Sequence, residues 1–300
     1  MTIAACYVSG EGVVFGADST TTMFVPGTDP SAPGSIHHYN FAQKVFEIGD
    51  NSTLGMTMWG LGGLPQVSYR TLIAQFADAL VAQGALSMEE VAKRWTEFFW
   101  SAYSASLGEV LQRAQRLSSR TLRTPDEERD LSDLLQAYSG GFCIGGYLIN
   151  DRTPCAFQIL YDPTMTAPAP PSALPVGTIN FWGCPNLINR LIFGIDTSLI
   201  TAIFRSGKWT GTIEDLCDLI WPHRLGQPFH LPIREAIDWV HASIYATIKM
   251  MKFSHLPPVC GGPVEVAVIT TDKKFRWVRH KQFDAAIGEG GFFNVYREGR

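Results

Sequence analysis

Thr2 directly follows the initiator methionine, in the stretch Met1-Thr2-Ile3-Ala4-Ala5-Cys6-Tyr7-Val8. A small residue at position 2 permits trimming of Met1, which would leave a threonine carrying its hydroxyl and a free α-amine on adjacent atoms. One residue then supplies both nucleophile and general base. An α-amine titrates near pH ~8, so a large fraction is neutral and basic at physiological pH. Other reactive side chains make weaker cases. The six cysteines (Cys6, Cys143, Cys155, Cys184, Cys217, Cys260) form no CxxC pair and no His-coupled metal spacing. Cys184 and Cys260 could form a second nucleophile pair, but no His lies near either in a recognisable motif, and core thiols are the simpler expectation. His37-His38 sit in a polar stretch without visible metal partners. Gly60-Leu61-Gly62-Gly63 lacks the GK[ST] ending and the βαβ setting of a phosphate loop.

Thr2 must be held by a sheet. Residues 2–9 and 12–18 are β-rich around the turn Ser9-Gly10-Glu11-Gly12. Residues 24–36, rich in Pro, Gly and Ser, read as a loop. Strands follow at 44–48 and 53–59. Over 64–83 the period changes to helical, with Val67, Leu72, Phe76 and Leu80 on one face. Ser87-Met88-Glu89-Glu90 reads as a capping box opening a helix that runs past residue 110. The charge-dense segment 113–133 reads as a solvated helix end, a loop and a short helix. Strands are expected at 141–149, 154–161 and 178–183, with a proline-rich loop at 162–177. Helices are expected near 186–205, 212–220 and 232–251, with Pro232 in the first turn of the last. A hairpin at 263–270 and 275–280, turning through Thr271-Asp272-Lys273, closes the chain. This order suggests an α+β sandwich of two antiparallel sheets with helices outside.

Composition narrows the partners. The chain of 300 residues is 46% apolar and 17% charged, as in an ordinary globular protein with a sizeable core. Its net charge is −4, and Lys and Arg are scattered singly, so nothing suggests a nucleic-acid partner. No positive charge precedes an apolar stretch at the start, and the most apolar run, 184–204, carries Arg190 and Asp196. Neither a signal peptide nor a membrane span is expected, and unpaired cysteines suit the cytoplasm.

The start resembles the proteasome β-type subunits of the N-terminal nucleophile hydrolases. In that family a mature N-terminal Thr opens a strand, and a second strand ends in Gly-Ala-Asp-Ser with the Asp sixteen residues after the nucleophile. Gly16-Ala17-Asp18-Ser19 stands at that spacing from Thr2. The family next places a Lys at the head of an apolar strand, as Lys44-Val45-Phe46-Glu47-Ile48 does, then a strand ending in glycine before a helix. The resemblance is strong over residues 2–80 and diluted to about residue 280. It implies a single four-layer αββα domain over 1–300, with additions near 24–40, 113–135 and 162–177.

The resemblance also implies roles. Thr2 is the nucleophile, Lys44 lowers the proton affinity of its amine, and Asp18 pairs with and positions Lys44. A glycine N–H is the oxyanion donor: Gly60 by carry-over, with Gly55 the competitor because Met58-Trp59 adds one residue to the pattern. The secondary set is altered. Ser19 follows in register, but Cys184 and Cys260 stand where the family has serines, and Pro257 replaces an aspartate; Glu265 is a conceivable substitute. No cofactor or metal is implied. The expected activity is hydrolysis of amide bonds, in a peptide or protein substrate, by a homo-oligomeric ring or stack using helices 64–83 and 87–112 as contact faces. Dependence on an unfoldase partner is undetermined. Two alternatives stay open: a small-molecule amidase or acylase, and a catalytically degenerate ring subunit.

Overall fold

A computed structural model describes residues 2–25, 35–255 and 259–281. Two strands, β1 (Ile3–Ser9) and β2 (Gly12–Ala17), pair as the expected hairpin, and every residue in both is buried. Their sequences show no polar alternation because neither face meets water. They are two of the three inner strands of a five-stranded antiparallel sheet completed by β10 (Ile179–Gly183), β11 (Glu265–Thr270) and β12 (Lys273–Arg279), in the order β10-β1-β2-β11-β12. On one face Ile3, Ala5, Tyr7 and Val14 pack with Val240 and Ile244 of helix α7 (Ile233–Phe253). On the other, Ala4, Cys6, Phe15 and Ile269 cluster with Val45, Trp59, Cys143 and Ala156 of a second sheet.

That second sheet has the order β5-β6-β7-β8-β9: β5 (Val45–Glu47), β6 (Leu54–Gly60), β7 (Gly140–Gly146), β8 (Cys155–Tyr161) and β9 (Ser172–Ala173). Met56, Phe142, Ile144 and Ile159 on its remaining face pack against α1 (Tyr69–Gln83) and α2 (Met88–Ser118), where Phe76, Trp95 and Phe99 make the aromatic stripe. The described residues thus form a mixed α/β protein with seven α-helices and three antiparallel sheets, consistent with the α+β class.

The third sheet corrects an expectation. Part of 24–36 is strand: β3 (Thr21–Val25) and β4 (Ser35–Tyr39) pair as a two-stranded ribbon. The β-prone run Thr21-Thr22-Met23-Phe24-Val25 outweighs the Pro/Gly signal on that side. Helix α1 begins later than its apolar period, because Leu64 and Val67 form a bridge and Ser68 caps from the Thr71 N–H. Ser87 caps α2 through Glu90 N–H, while the Glu90 carboxylate accepts from Leu86 N–H rather than from the capping residue. The expected helix over 186–205 is two, α4 (Asn186–Phe193) and α5 (Thr197–Arg205), separated at Gly194 (φ 77) and recapped by Asp196. Helix α6 (Ile213–Ile220) lies where expected, while α3 (Pro125–Tyr138) starts within the charge-dense segment but runs past residue 133, longer than the short helix expected. Pro232 sits at the N-cap of α7, one place before the first turn, and the closing hairpin turns through Thr271-Asp272 alone. Among the described residues no single helix is long and apolar enough to cross a membrane, and α4 and α5 are bent 84° apart.

Candidate active site

Thr2 sits just before β1, against the end of β10, and its main chain is pinned there. Cys184 N–H donates to Thr2 C=O at 2.8 Å, and a Cβ on Gly183 (φ 85) would lie 1.9 Å from that oxygen. Only glycine permits this approach. The next residue is tied to Asp18: Ile3 N–H donates to Asp18 Oδ1 at 3.1 Å, and Asp18 N–H to Ile3 C=O at 3.1 Å.

Asp18, at the end of β2, is 0% exposed. It accepts four hydrogen bonds: Ile3 N–H and Lys44 Nζ on Oδ1, Thr20 N–H and Gly261 N–H on Oδ2. Lys44 Nζ stands 2.7 Å from Oδ1 and also donates to Thr20 C=O. Lys44 itself, 4% exposed, is fixed by its carbonyl, which accepts from Met58 N–H at 3.0 Å and Thr57 Oγ1 at 3.1 Å. A buried ion pair is tolerable only when its partners' other groups are largely used: Asp18 accepts four bonds, and Lys44 Nζ donates to Asp18 and to Thr20 C=O.

Gly60 ends β6 with φ 80, where a Cβ would meet Ser139 O at 2.4 Å and Gly140 Cα at 2.5 Å. Along a strand successive N–H groups point to opposite edges. Met58 N–H points to the β5 edge, at Lys44, so Gly60 N–H faces that edge too, past the end of β5. Thr2, Lys44, Met58 and Gly60 line one small cavity of about 70 Å³ with Thr20 and Thr21. Gly55 is not among its residues. It pairs with Gly145 mid-strand and lies under Phe15 and Phe275 between the sheets. A more voluminous cavity, about 620 Å³, surrounds the Gly49–Thr53 turn and includes none of these groups.

The secondary residues are less direct. Ser19 is a latch: its hydroxyl donates to Pro263 C=O at 2.8 Å, its N–H to Gly261 C=O at 3.0 Å, and its carbonyl accepts from Ala42 N–H. Cys260 is buried, with its thiol 3.6 Å from Met251 Sδ. Its contact with the Cys184 thiol, then burial, push its pKa well up, which keeps it a thiol rather than a thiolate nucleophile. Glu265 does not reach the Thr2 cavity; it pairs with Ala17 across the sheet, with His280 Nδ1 and Lys281 Nζ at 2.8 and 2.9 Å. Pro257 and Met1 lie outside the described residues. His38 bonds to Thr22 Oγ1 within the β3–β4 ribbon.

Three contributors had no signal in the local sequence. Gly261 N–H on Asp18, Thr20 C=O on Lys44 and Gly183 against Thr2 all come from tertiary closure. The resulting arrangement brings Thr2, the Asp18-paired Lys44 and the end of β6 at Gly60 around one small space. No family model matches the chain, and no curated protein sequence matches it.

Proposed function

We propose that this protein is an N-terminal threonine hydrolase that cleaves amide bonds, with the αββα layering of the N-terminal nucleophile hydrolases. The layering is supported by the three clusters, which run from helices α1 and α2 through two facing sheets to α7. The activity rests on one observation: Thr2 shares a cavity with the Asp18-held Lys44 and with Gly60.

Removal of Met1 exposes the Thr2 α-amine. The Lys44 ammonium lowers that amine's proton affinity, so it accepts the hydroxyl proton as Oγ attacks the carbonyl carbon. Gly60 N–H stabilises the oxyanion; one such donor contributes about 3–4 kcal/mol to barrier lowering. The protonated amine then hands its proton to the leaving amine as the C–N bond breaks, leaving an ester on Thr2. Water attacks this ester with the same amine as base, releasing the acid and restoring the hydroxyl.

Peptide amides are the proposed substrates, in an assembly of identical chains. Helices α1 and α2 spend their apolar stripe on the sheet. Leu191, Phe204, Leu219, Trp221, Leu225 and Phe229 are exposed, which favours the 191–229 segment as the contact face. The test is intact-mass spectrometry after incubation with a threonine-directed β-lactone. Loss of Met1 with one adduct, absent in Thr2→Ala, is expected. Retained Met1 without an adduct would overturn the reading and favour the degenerate subunit.

A further inference from the structure

Among the described residues two pairs of free thiols touch, and they differ in what can reach them. Cys6 and Cys143 meet between the two sheets, each 0% exposed. Cys184 and Cys260 meet in the cluster that packs on α7. Cys260 is buried there, its sulfur 3.6 Å from Met251 Sδ, while Cys184 is partly exposed. The main chain ties both positions of this second pair to Thr2 and its neighbours. Cys184 N–H donates to Thr2 C=O at 2.8 Å, and Gly183 approaches that carbonyl so closely that no Cβ would fit. Gly261, directly after Cys260, donates its N–H to Asp18 Oδ2 at 2.9 Å and accepts Ser19 N–H at 3.0 Å. The two cysteines stand where the resembled family has serines, which cannot bond to each other.

We infer that Cys184 and Cys260 are an oxidation site: a peroxide joins them in a disulfide, and the bond loosens the backbone that holds Thr2 and Asp18. The bond depends on the thiols alone; its effect on turnover rests on the proposed hydrolase. Cys184 gives up its thiol proton and its sulfur attacks hydrogen peroxide. The O–O bond breaks, the departing hydroxide takes a proton to become water, and a sulfenic acid is left. The Cys260 sulfur then displaces the hydroxyl from Cys184. The S–O bond breaks, the S–S bond forms, and the Cys260 proton leaves with the hydroxyl as a second water. Two thiol hydrogens are lost, both sulfurs are oxidised, and the two peroxide oxygens are reduced. Cys260 needs no exposure, because its partner already touches it. Cys6 and Cys143 have the same contact but no exposed sulfur for the peroxide to meet. A disulfide draws its sulfurs to about 2 Å, closer than free thiols approach. The main chain at 184 and 261 has to yield, since Gly183 has no slack beside Thr2.

The test treats the native full chain with hydrogen peroxide, removes the excess with catalase, then unfolds and alkylates the protein for peptide mapping. A linked 184–260 peptide that dithiothreitol separates is expected, with Cys6 and Cys143 alkylated as free thiols. Labelling of Thr2 by the β-lactone should slow by about tenfold to a hundredfold, the scale of a misplaced reacting group, and recover with dithiothreitol. Cys260→Ser and Cys184→Ser should each abolish the link, and labelling of each variant should be the same with and without peroxide. Deuterium uptake around residues 184 and 261 should rise in the oxidised natural chain, a readout that needs no working Thr2. No linked peptide, with Cys184 oxidised alone or still free, overturns the site. A linked peptide with unchanged labelling and unchanged uptake overturns its coupling to Thr2. A chain that never labels, yet forms the link and changes its uptake, loses the hydrolase and keeps the oxidation site, so the two failures are distinguishable.

Discussion

Asp18 and Glu265 are both 0% exposed and almost adjacent, since Glu265 pairs with Ala17 across β2 and β11. Their surroundings differ in kind. Asp18 stands where a strand ends, and the backbone there has N–H groups to spare: Ile3, Thr20 and Gly261 each donate to it, and Lys44 adds a fourth bond. Glu265 is the first residue of β11, paired with Ala17, and among the described residues no backbone N–H donates to its carboxylate. Among the described residues its oxygens are met only by side chains at ion-pair distance, His280 Nδ1 at 2.8 Å and Lys281 Nζ at 2.9 Å. Burial is equal, so what distinguishes a positioned carboxylate from a merely compensated one is the supply of aligned backbone donors.

The sharpest way to break this comparison is Asp18→Ala. It strips the buried Lys44 of its counter-charge and leaves three N–H groups unpaired, so a loss of about 3–5 kcal/mol in unfolding free energy is expected by urea titration. Lys44→Met is the asymmetric partner. Asp18 would keep its three backbone donors, so the expected loss is smaller, about 1–3 kcal/mol, while β-lactone labelling of Thr2 should disappear in a folded protein. Equal losses from the two variants would mean that the backbone donors contribute little. Glu265→Gln should cost least of the three, about 1 kcal/mol, with labelling of Thr2 retained. A loss matching that of Asp18→Ala would show that ion-pair distance alone does what aligned bonds were held to do.

How far these features were legible follows from where their partners lie in the chain. Thr2, Asp18 and Lys44 could be read in order because strand pattern and spacing link them within 43 residues. The start of α2 at Ser87 was legible from local capping chemistry, and a helix within 113–133 from its alternating charges, but the Thr124 cap that opens it was not read. Gly261, which completes Asp18, is 243 residues away, and only the closed sheet brings it there. The role of Glu265 was hidden for the same reason, because its strand had to be paired before its side chain had a direction. The break at Gly194-Ile195-Asp196 was different: a glycine and a capping aspartate were in plain view, but the apolar run on both sides suggested one helix. In the β3–β4 ribbon, Pro/Gly composition masked β-branched residues at one edge.

The smallest expected effect concerns Lys281. Burial first lowers its pKa from the ordinary 10.5, and neighbouring Lys44 pushes in the same direction, while Glu265 opposes both. The native chain therefore releases this proton before the unfolded chain does. Between the depressed native pKa and 10.5 the unfolded state holds more protons, so stability rises with pH across that window. Lys281→Met removes this increment. The stability of the natural chain relative to the variant should therefore increase from neutral pH to pH 10.5, in urea titrations at both pH values. A decrease would mean that attraction to Glu265 outweighs burial. Glu265 would then hold its cation as Asp18 holds Lys44, and the difference between the two carboxylates would be one of geometry alone.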